Sequence, residues 1–217
     1  MLNLTLGQKP GALRRVLCLG AHSDDIEIGC GGTILRLLRE HRQCEVHWVV
    51  FSGSPERRRE ALASAKLFLS HAASKKIVVH KFRDGFFPHD GARIKLEFER
   101  LKRAFQPDVI FTHYRQDLHQ DHRVINELTW NTFRNHLILE YEIPKYDGDL
   151  GAPNFYVPLN GLESHEKVRN LQQAFRSQRG KHWFTDDLFL GLMRVRGMEA
   201  NSPTHYAEAF YARKLVL

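Results

Sequence analysis

Val16-Leu17-Cys18-Leu19-Gly20 runs into Ala21-His22-Ser23-Asp24-Asp25, and the chain restarts through Gly29-Cys30-Gly31-Gly32-Thr33 with a helical pattern continuing over Ile34 to His41. The order is strand, loop, helix. In a parallel sheet, ligands bind at the carboxyl ends of the strands, and here one imidazole and two carboxylates stand at such an end. A His-x-x-Asp spacing lets a nitrogen and an oxygen converge from one short turn, a donor mix suited to zinc or a similar divalent ion. Adjacent residues of an extended turn point in different directions. With Asp25 facing a metal, Asp24 is therefore free to face the water beside it, one acid acting as ligand and the other as base. Taken alone, the same residues read equally well as a polar turn in which an aspartate caps the next helix.

A second cluster repeats the pattern. Asp108 to His113 is an apolar strand, followed by Tyr114-Arg-Gln-Asp117-Leu-His119-Gln120-Asp121-His122-Arg123 and a helical pattern. His119 and His122 are three apart, on one helical face or in one tight turn, and Asp121 is available to orient an imidazole. A merely His-rich helix start is conceivable in a chain with thirteen histidines. Two such clusters, each at the end of an apolar strand, point to a shared site.

The 217 residues, 42% of them hydrophobic, suffice for a proper core and suggest one domain over 1–217. Met1 to Pro10 resembles neither a secretory signal nor a membrane segment, and no run approaches the ~20 apolar residues of a bilayer span, so a cytoplasmic protein is expected. Cys18, Cys30 and Cys44 form no C-x-x-C pair and are expected to be reduced and mostly in the core, with Cys30 in the glycine-rich turn beside the metal. A net charge of +7 favours anionic partners, but no helix-turn-helix, zinc-finger or ribonucleoprotein motif accompanies the basic residues. Nucleic acid is not an expected partner.

Strands at Val46 to Phe51 and Ile77 to His80 alternate with helices at Glu56 to Ser70 and Arg93 to Phe105, so the segment up to His136 predicts an α/β fold, Rossmann-like and doubly wound, with a mostly parallel sheet flanked by helices. Neither a G-x-G-x-x-G pattern nor a P-loop is present, which disfavours a dinucleotide cofactor. Farther on, strands at Leu137 to Ile143 and Phe155 to Leu159 bracket the turn-rich loop 144–153, a candidate cleft lining. A helix at Glu163 to Ser177, an apolar stretch at Leu188 to Val195 and a closing strand at Tyr206 to Arg213 complete the chain, with no role evident for His182.

The motifs Ala21-His22-Ser23-Asp24-Asp25, Gly29-Cys30-Gly31-Gly32-Thr33 and His119-Gln120-Asp121-His122 resemble those of the PIG-L/LmbE-like zinc deacetylases, which act mostly on N-acetylglucosamine-type sugars. The resemblance implies that His22, Asp25 and His122 bind zinc, with ferrous iron as an alternative. It implies that Asp24 is the general base and that a protonated His119, supported by Asp121, stabilises the oxyanion. It also places Arg57, in Arg57-x-x-Glu60, against the sugar or its phosphate, Asp84 in the pocket wall, and Ser177-Gln178 near the substrate. On residue chemistry alone, Arg57 also fits an ion-paired helix start, and Asp84 an ordinary Asp-Gly turn. Ser23 stands where the family usually has proline, and Ile26 where it often has glutamate. The expected activity is removal of an N-acetyl group by a zinc-activated water from an amino sugar, with a nucleotide- or lipid-diphosphate-linked one favoured by the basic balance. A metal-dependent hydrolase of another amide or of a phosphoester and a non-enzymatic sugar-nucleotide-binding module remain alternatives, and a homo-oligomer remains open.

Overall fold

The computed structural model describes residues 13–215. The amino-terminal stretch Met1 to Pro10 discussed above lies outside the described residues. Parallel strands β1 (Arg15–Gly20), β2 (Glu45–Ser52), β3 (Ser74–Phe82), β4 (Val109–His113) and β5 (Leu137–Tyr141) are joined by β7 (Tyr206–Ala212), which runs antiparallel to β5 and to β6 (Phe155–Leu159). Together they form one seven-stranded sheet ordered β3-β2-β1-β4-β5-β7-β6. Helices α1 (Asp25–Glu40), α2 (Pro55–Phe68), α3 (Phe87–Ala104), α4 (Gln120–Thr132), α5 (Gly161–Ala174) and α6 (Asp186–Glu199) flank it. This is the α/β, mostly parallel layout that the alternation of strands and helices predicts.

Both faces of the sheet are covered, which is why its central strands are continuous apolar runs rather than alternating ones. Val16 and Cys18 enter one core layer with Trp48, Phe68 and Phe111, while Leu17 and Leu19 enter the other with Phe51, Phe98 and Phe133. The chain winds outward from β1 to β3, then returns to lay β4 on the other side of β1. Strand order reverses between β1 and β4, and the crevice outside their carboxyl ends is where such a sheet accepts a ligand. The His22 and His119 clusters leave the sheet at these two ends.

The start of α1 differs from the sequence expectation. The helix begins at Asp25, not at Ile34, so Gly29, Gly31 and Gly32 lie within it and not in a turn. Packing overrides their poor helix propensity: a Cβ on Gly29 would sit 2.2 Å from Cδ2 of Tyr141, and one on Gly31 2.6 Å from the Phe68 ring. Cys30 is consequently a buried helical residue whose thiol donates to the Ile26 carbonyl at 3.3 Å, not a residue of a turn beside a metal. No helix among the described residues is long and apolar enough to cross a membrane.

Candidate active site

The loop after β1, the first residue of α1 and the start of α4 bring three donor atoms to one point. Nδ1 of His22 lies 3.1 Å from Nε2 of His122. Oδ2 of Asp25 lies 3.4 Å from that His22 nitrogen and 3.6 Å from that His122 nitrogen. A tetrahedral ion with bonds of ~2.0–2.1 Å has donor edges of about 3.3 Å, so the spacing and the nitrogen and oxygen donor set fit a zinc-like ion.

Both imidazole donors are held from behind, and Oδ2 of Asp25 is fixed by the His22 backbone N–H, which donates to it at 2.6 Å. Nδ1 of His122 donates to Oδ2 of Asp117 at 2.9 Å, which leaves the Nε2 lone pair facing His22. Burial, reinforced by the neighbouring His113, pushes the His122 pKa down to about 3, so the ring is a neutral donor. Asp117 is shared with Lys145, whose Nζ stands 2.9 Å from the same oxygen. Lys145 also pairs with Asp149, and Asp149 accepts the Leu118 N–H at 2.7 Å, so the loop 144–153 is tied to the approach to α4. Burial opposes the charge on Asp25, but the cluster of imidazoles around it holds its carboxyl well below the usual range.

His22 faces carboxylates on its other side, with Nε2 at 3.2 Å from Oδ2 of Asp121 and 3.1 Å from Oδ1 of Asp84. Despite burial, Asp25, Asp121 and Asp84 hold the pKa of His22 well above its ordinary value. Asp121 is fully buried and also accepts the N–H groups of Gly85 at 2.7 Å and Phe87 at 3.1 Å, fixing the turn between β3 and α3. Its carboxylate is thus directed to His22 and not to His119. What Asp121 offers His119 is its backbone N–H, which donates to Nδ1 of the His119 N-cap at 3.2 Å. Burial and the nearby His22 lower the pKa of His119, so it stands as a neutral ring with its proton on Nε2 and not as the expected imidazolium. Its ring centroid lies 4.8 Å from that of His22 and 4.6 Å from that of His122.

Asp24 occupies the N-cap position of α1 but makes no side-chain capping bond. Its Oδ2 meets Nη2 of Arg57 at 2.8 Å. Burial raises the pKa of Asp24, and Arg57 opposes that rise. The resemblance implies that Arg57 reaches substrate, and its residue chemistry an ion-paired helix start; here it is ion-paired with Asp24 and, through Nη1, with Glu60 at 2.9 Å. Asp84 lies at the mouth with 73% of its side chain exposed. Phe86 is exposed beneath the Arg83 guanidinium at 3.6 Å, whereas Phe87 is core. His182 contacts the exposed Tyr146 at 3.2 Å. Ser23 is buried, with its hydroxyl near the Ser52 carbonyl at 3.4 Å.

Three neighbours of the donors carried no assigned role in the sequence: Asp117, Lys145 and His113. Asp117 stands in an Asp-x-His-x-Asp-His run that spacing could have flagged, and His113 ends an apolar strand. Lys145 has a local partner in Asp149, but nothing in its own segment points to Asp117, which comes from the stretch after β4. Nε2 of His113 accepts the Ala21 N–H at 2.9 Å and lies 3.2 Å from Oδ2 of Asp25. With that lone pair used by an amide, His113 braces the loop after β1 and is a poorer ligand candidate than His22.

The family described as PIG-L, GlcNAc-PI de-N-acetylase, matches residues 17–133. The chain belongs to this family. The match covers more than half of the chain and spans both motif clusters. Among solved structures, N,N'-diacetylchitobiose deacetylase from Pyrococcus horikoshii superposes with a TM-score of 0.73 at 22% identity, over 92% of this chain and 84% of that one. A conserved protein from Thermus thermophilus gives 0.72 at 20% identity, over 93% and 95%. The 4-carboxy-2-hydroxymuconate hydratase GalB of Pseudomonas putida gives 0.75 at 16% identity, over 94% and 98%. Proteins titled as a deacetylase and as a hydratase share the fold, so the reaction has to be argued from the side chains at the crevice.

Proposed function

We propose that this protein is a metal-dependent hydrolase that removes the acetyl group from an N-acetylated amino sugar. The convergence of His22, Asp25 and His122 beside the Asp24 carboxylate carries this reading, together with membership of the de-N-acetylase family. Nδ1 of His22, Oδ2 of Asp25 and Nε2 of His122 would hold zinc, with ferrous iron as the alternative. Such an ion supplies Lewis acidity to an amide carbonyl and lowers the pKa of water.

Asp24 is the general base. Arg57 holds its Oδ2, leaving Oδ1 to take the proton of the attacking water and then return it to the leaving amine. Burial, by raising the pKa of Asp24, makes the carboxylate a better proton acceptor than an exposed one. His119 donates from Nε2 to the developing oxyanion, since its Nδ1 is occupied by the Asp121 N–H. A donor in that role contributes about 3 kcal/mol. Asp121 keeps His22 oriented, and Asp84 at the mouth accepts a hydrogen bond from a sugar hydroxyl.

The net charge of +7 and the exposed Arg83 beside Asp84 support a substrate whose sugar carries a phosphate or diphosphate. Acetate release is the test, with N-acetylglucosamine and its UDP-linked form as substrates for zinc-loaded protein, with and without chelator. Chelator-sensitive release, faster on the UDP-linked sugar, is expected. Equal efficiency on both would remove the phosphate from the proposal, and release of phosphate in place of acetate would replace the deacetylase with a phosphoesterase.

A further inference from the structure

Arg57 sits in the first turn of α2, where its backbone N–H donates to the Ser54 hydroxyl at 3.3 Å. A cation there opposes the helix dipole, so its position is unfavourable for the helix itself. Its guanidinium is nevertheless held at both terminal nitrogens and packed against a ring. Nη2 meets Asp24 at 2.8 Å, Nη1 meets Glu60 at 2.9 Å, and the group lies 5.1 Å over the ring of the buried Phe175. Only 18% of the side chain is exposed. Glu60 is itself anchored, accepting the Ser177 N–H at 2.8 Å and the Ser177 hydroxyl at 2.7 Å. A continuous chain therefore runs from the 3-10 turn Arg176–Gln178 through Glu60 and Arg57 to Asp24.

Asp24 shows the other half of the arrangement. An aspartate at an N-cap ordinarily accepts a hydrogen bond from the first turn, and losing that bond costs about 1 kcal/mol. Asp24 forgoes it and turns to Arg57. With Oδ2 taken by Arg57, the orientation of Oδ1 is set by the guanidinium, and both terminal nitrogens of Arg57 are already engaged before any substrate arrives. A planar fork can hold two carboxylates in fixed directions at once, whereas a lysine offers a single point charge.

We infer that Arg57 is a positioning residue: it acts through Asp24 by fixing the direction of the base, and Glu60 and Ser177 in turn fix Arg57. This rests on the deacetylase reading only in taking Asp24 as the base; the structural relation itself is independent of it.

Arg57→Met separates the roles. Crystal structures of native protein and variant, at one pH, should show the Asp24 carboxylate displaced to another rotamer or split between two. An Asp24 carboxylate unmoved in the variant overturns the inference. Should the Met variant fail to fold, Arg57→Gln is solved in its place under the same criterion, since a shorter neutral amide cannot hold both Asp24 and Glu60 in these directions. In the acetate-release assay, kcat should fall about 100-fold while KM stays within about twofold, with Arg57→Lys recovering part of the loss. A rise in KM at unchanged kcat also overturns it, making Arg57 a substrate contact. If native protein releases no acetate, the deacetylase reading fails by itself, and the position of Asp24 in the two structures still decides whether Arg57 holds it.

Discussion

Nδ1 of His22 faces Nε2 of His122 at 3.1 Å, although the two residues are 100 positions apart in the chain. Two imidazole nitrogens so close require a proton or a cation between them. His122 donates its Nδ1–H to Asp117 and is neutral, so in the metal-free protein the intervening proton belongs to His22, whose pKa its carboxylate neighbours hold well above the ordinary value. A metal ion would take the place of that proton.

Metal uptake at neutral pH should therefore release about one proton per site. Calorimetric titration of metal-free protein with zinc, in buffers of differing ionisation enthalpy, reads this number directly. A value near zero would mean that His22 is already deprotonated. Because His22 must lose its proton to bind, affinity should weaken as the pH falls.

His22→Ala and His122→Ala should each lose stoichiometric metal, whereas Asp24→Asn should retain it and lose turnover. Metal content by elemental analysis, paired with acetate release, checks all three. Full occupancy in either histidine variant would refute the donor set.

Asp117→Asn leaves a weaker acceptor behind His122 while keeping the shape of the side chain. Zinc affinity should fall roughly 10- to 100-fold, the range for carboxylates that orient a ligating imidazole. A competition titration against a chromophoric chelator measures it, and an unchanged Kd would reduce Asp117 to a loop anchor.

Glu27 is fully buried, and among the described residues the Ser64 hydroxyl approaches its carboxylate without forming a good hydrogen bond. Burial pushes its pKa from 4.5 to about 8. Between those values the unfolded chain gives up a proton that the folded chain keeps, so this group lowers stability as pH rises through the window. Glu27→Gln should remove that slope, leaving the metal-free variant more stable than native protein at pH 8 by a few kcal/mol relative to their difference at pH 4.5. Urea denaturation at the two pH values decides; parallel losses in both proteins would contradict it.

Gly29→Ala tests the packing of α1. Although alanine favours a helix, its Cβ would lie 2.2 Å from the Tyr141 ring, and Tyr141 is held by a 2.6 Å hydrogen bond to the Leu19 carbonyl. The variant should lose about 1–3 kcal/mol, as overpacked cores do. Thermal denaturation would show an increase in stability instead if the ring could swing away.

Much of this arrangement is legible in the chain. The apolar run from Val16 and the one ending at His113 announce buried parallel strands, and the polar clusters that follow them mark the two ends that meet at the strand-order reversal. Side-chain direction was less legible. Asp121 is adjacent in sequence to His122 and close to His119, yet its carboxylate serves His22 and the turn at Gly85, because a helix N-terminus directs each side chain differently. The glycines of α1 read as a turn because their reason for being small, the rings of Tyr141 and Phe68, comes from distant segments. Lys145 and Asp117 form a pair across two loops that no spacing rule connects.

The most direct test of the central claim compares zinc-loaded native protein with Asp24→Asn on UDP-linked N-acetylglucosamine, quantifying acetate and free amine together. The prediction is acetate and amine formed mole for mole by native protein, abolished by chelator, and nearly absent in the variant despite its bound metal. Acetate release at a similar rate in Asp24→Asn would contradict Asp24 as the base. A zinc-loaded native protein that releases no acetate from this substrate or from a lipid-linked N-acetylhexosamine would contradict the deacetylase itself.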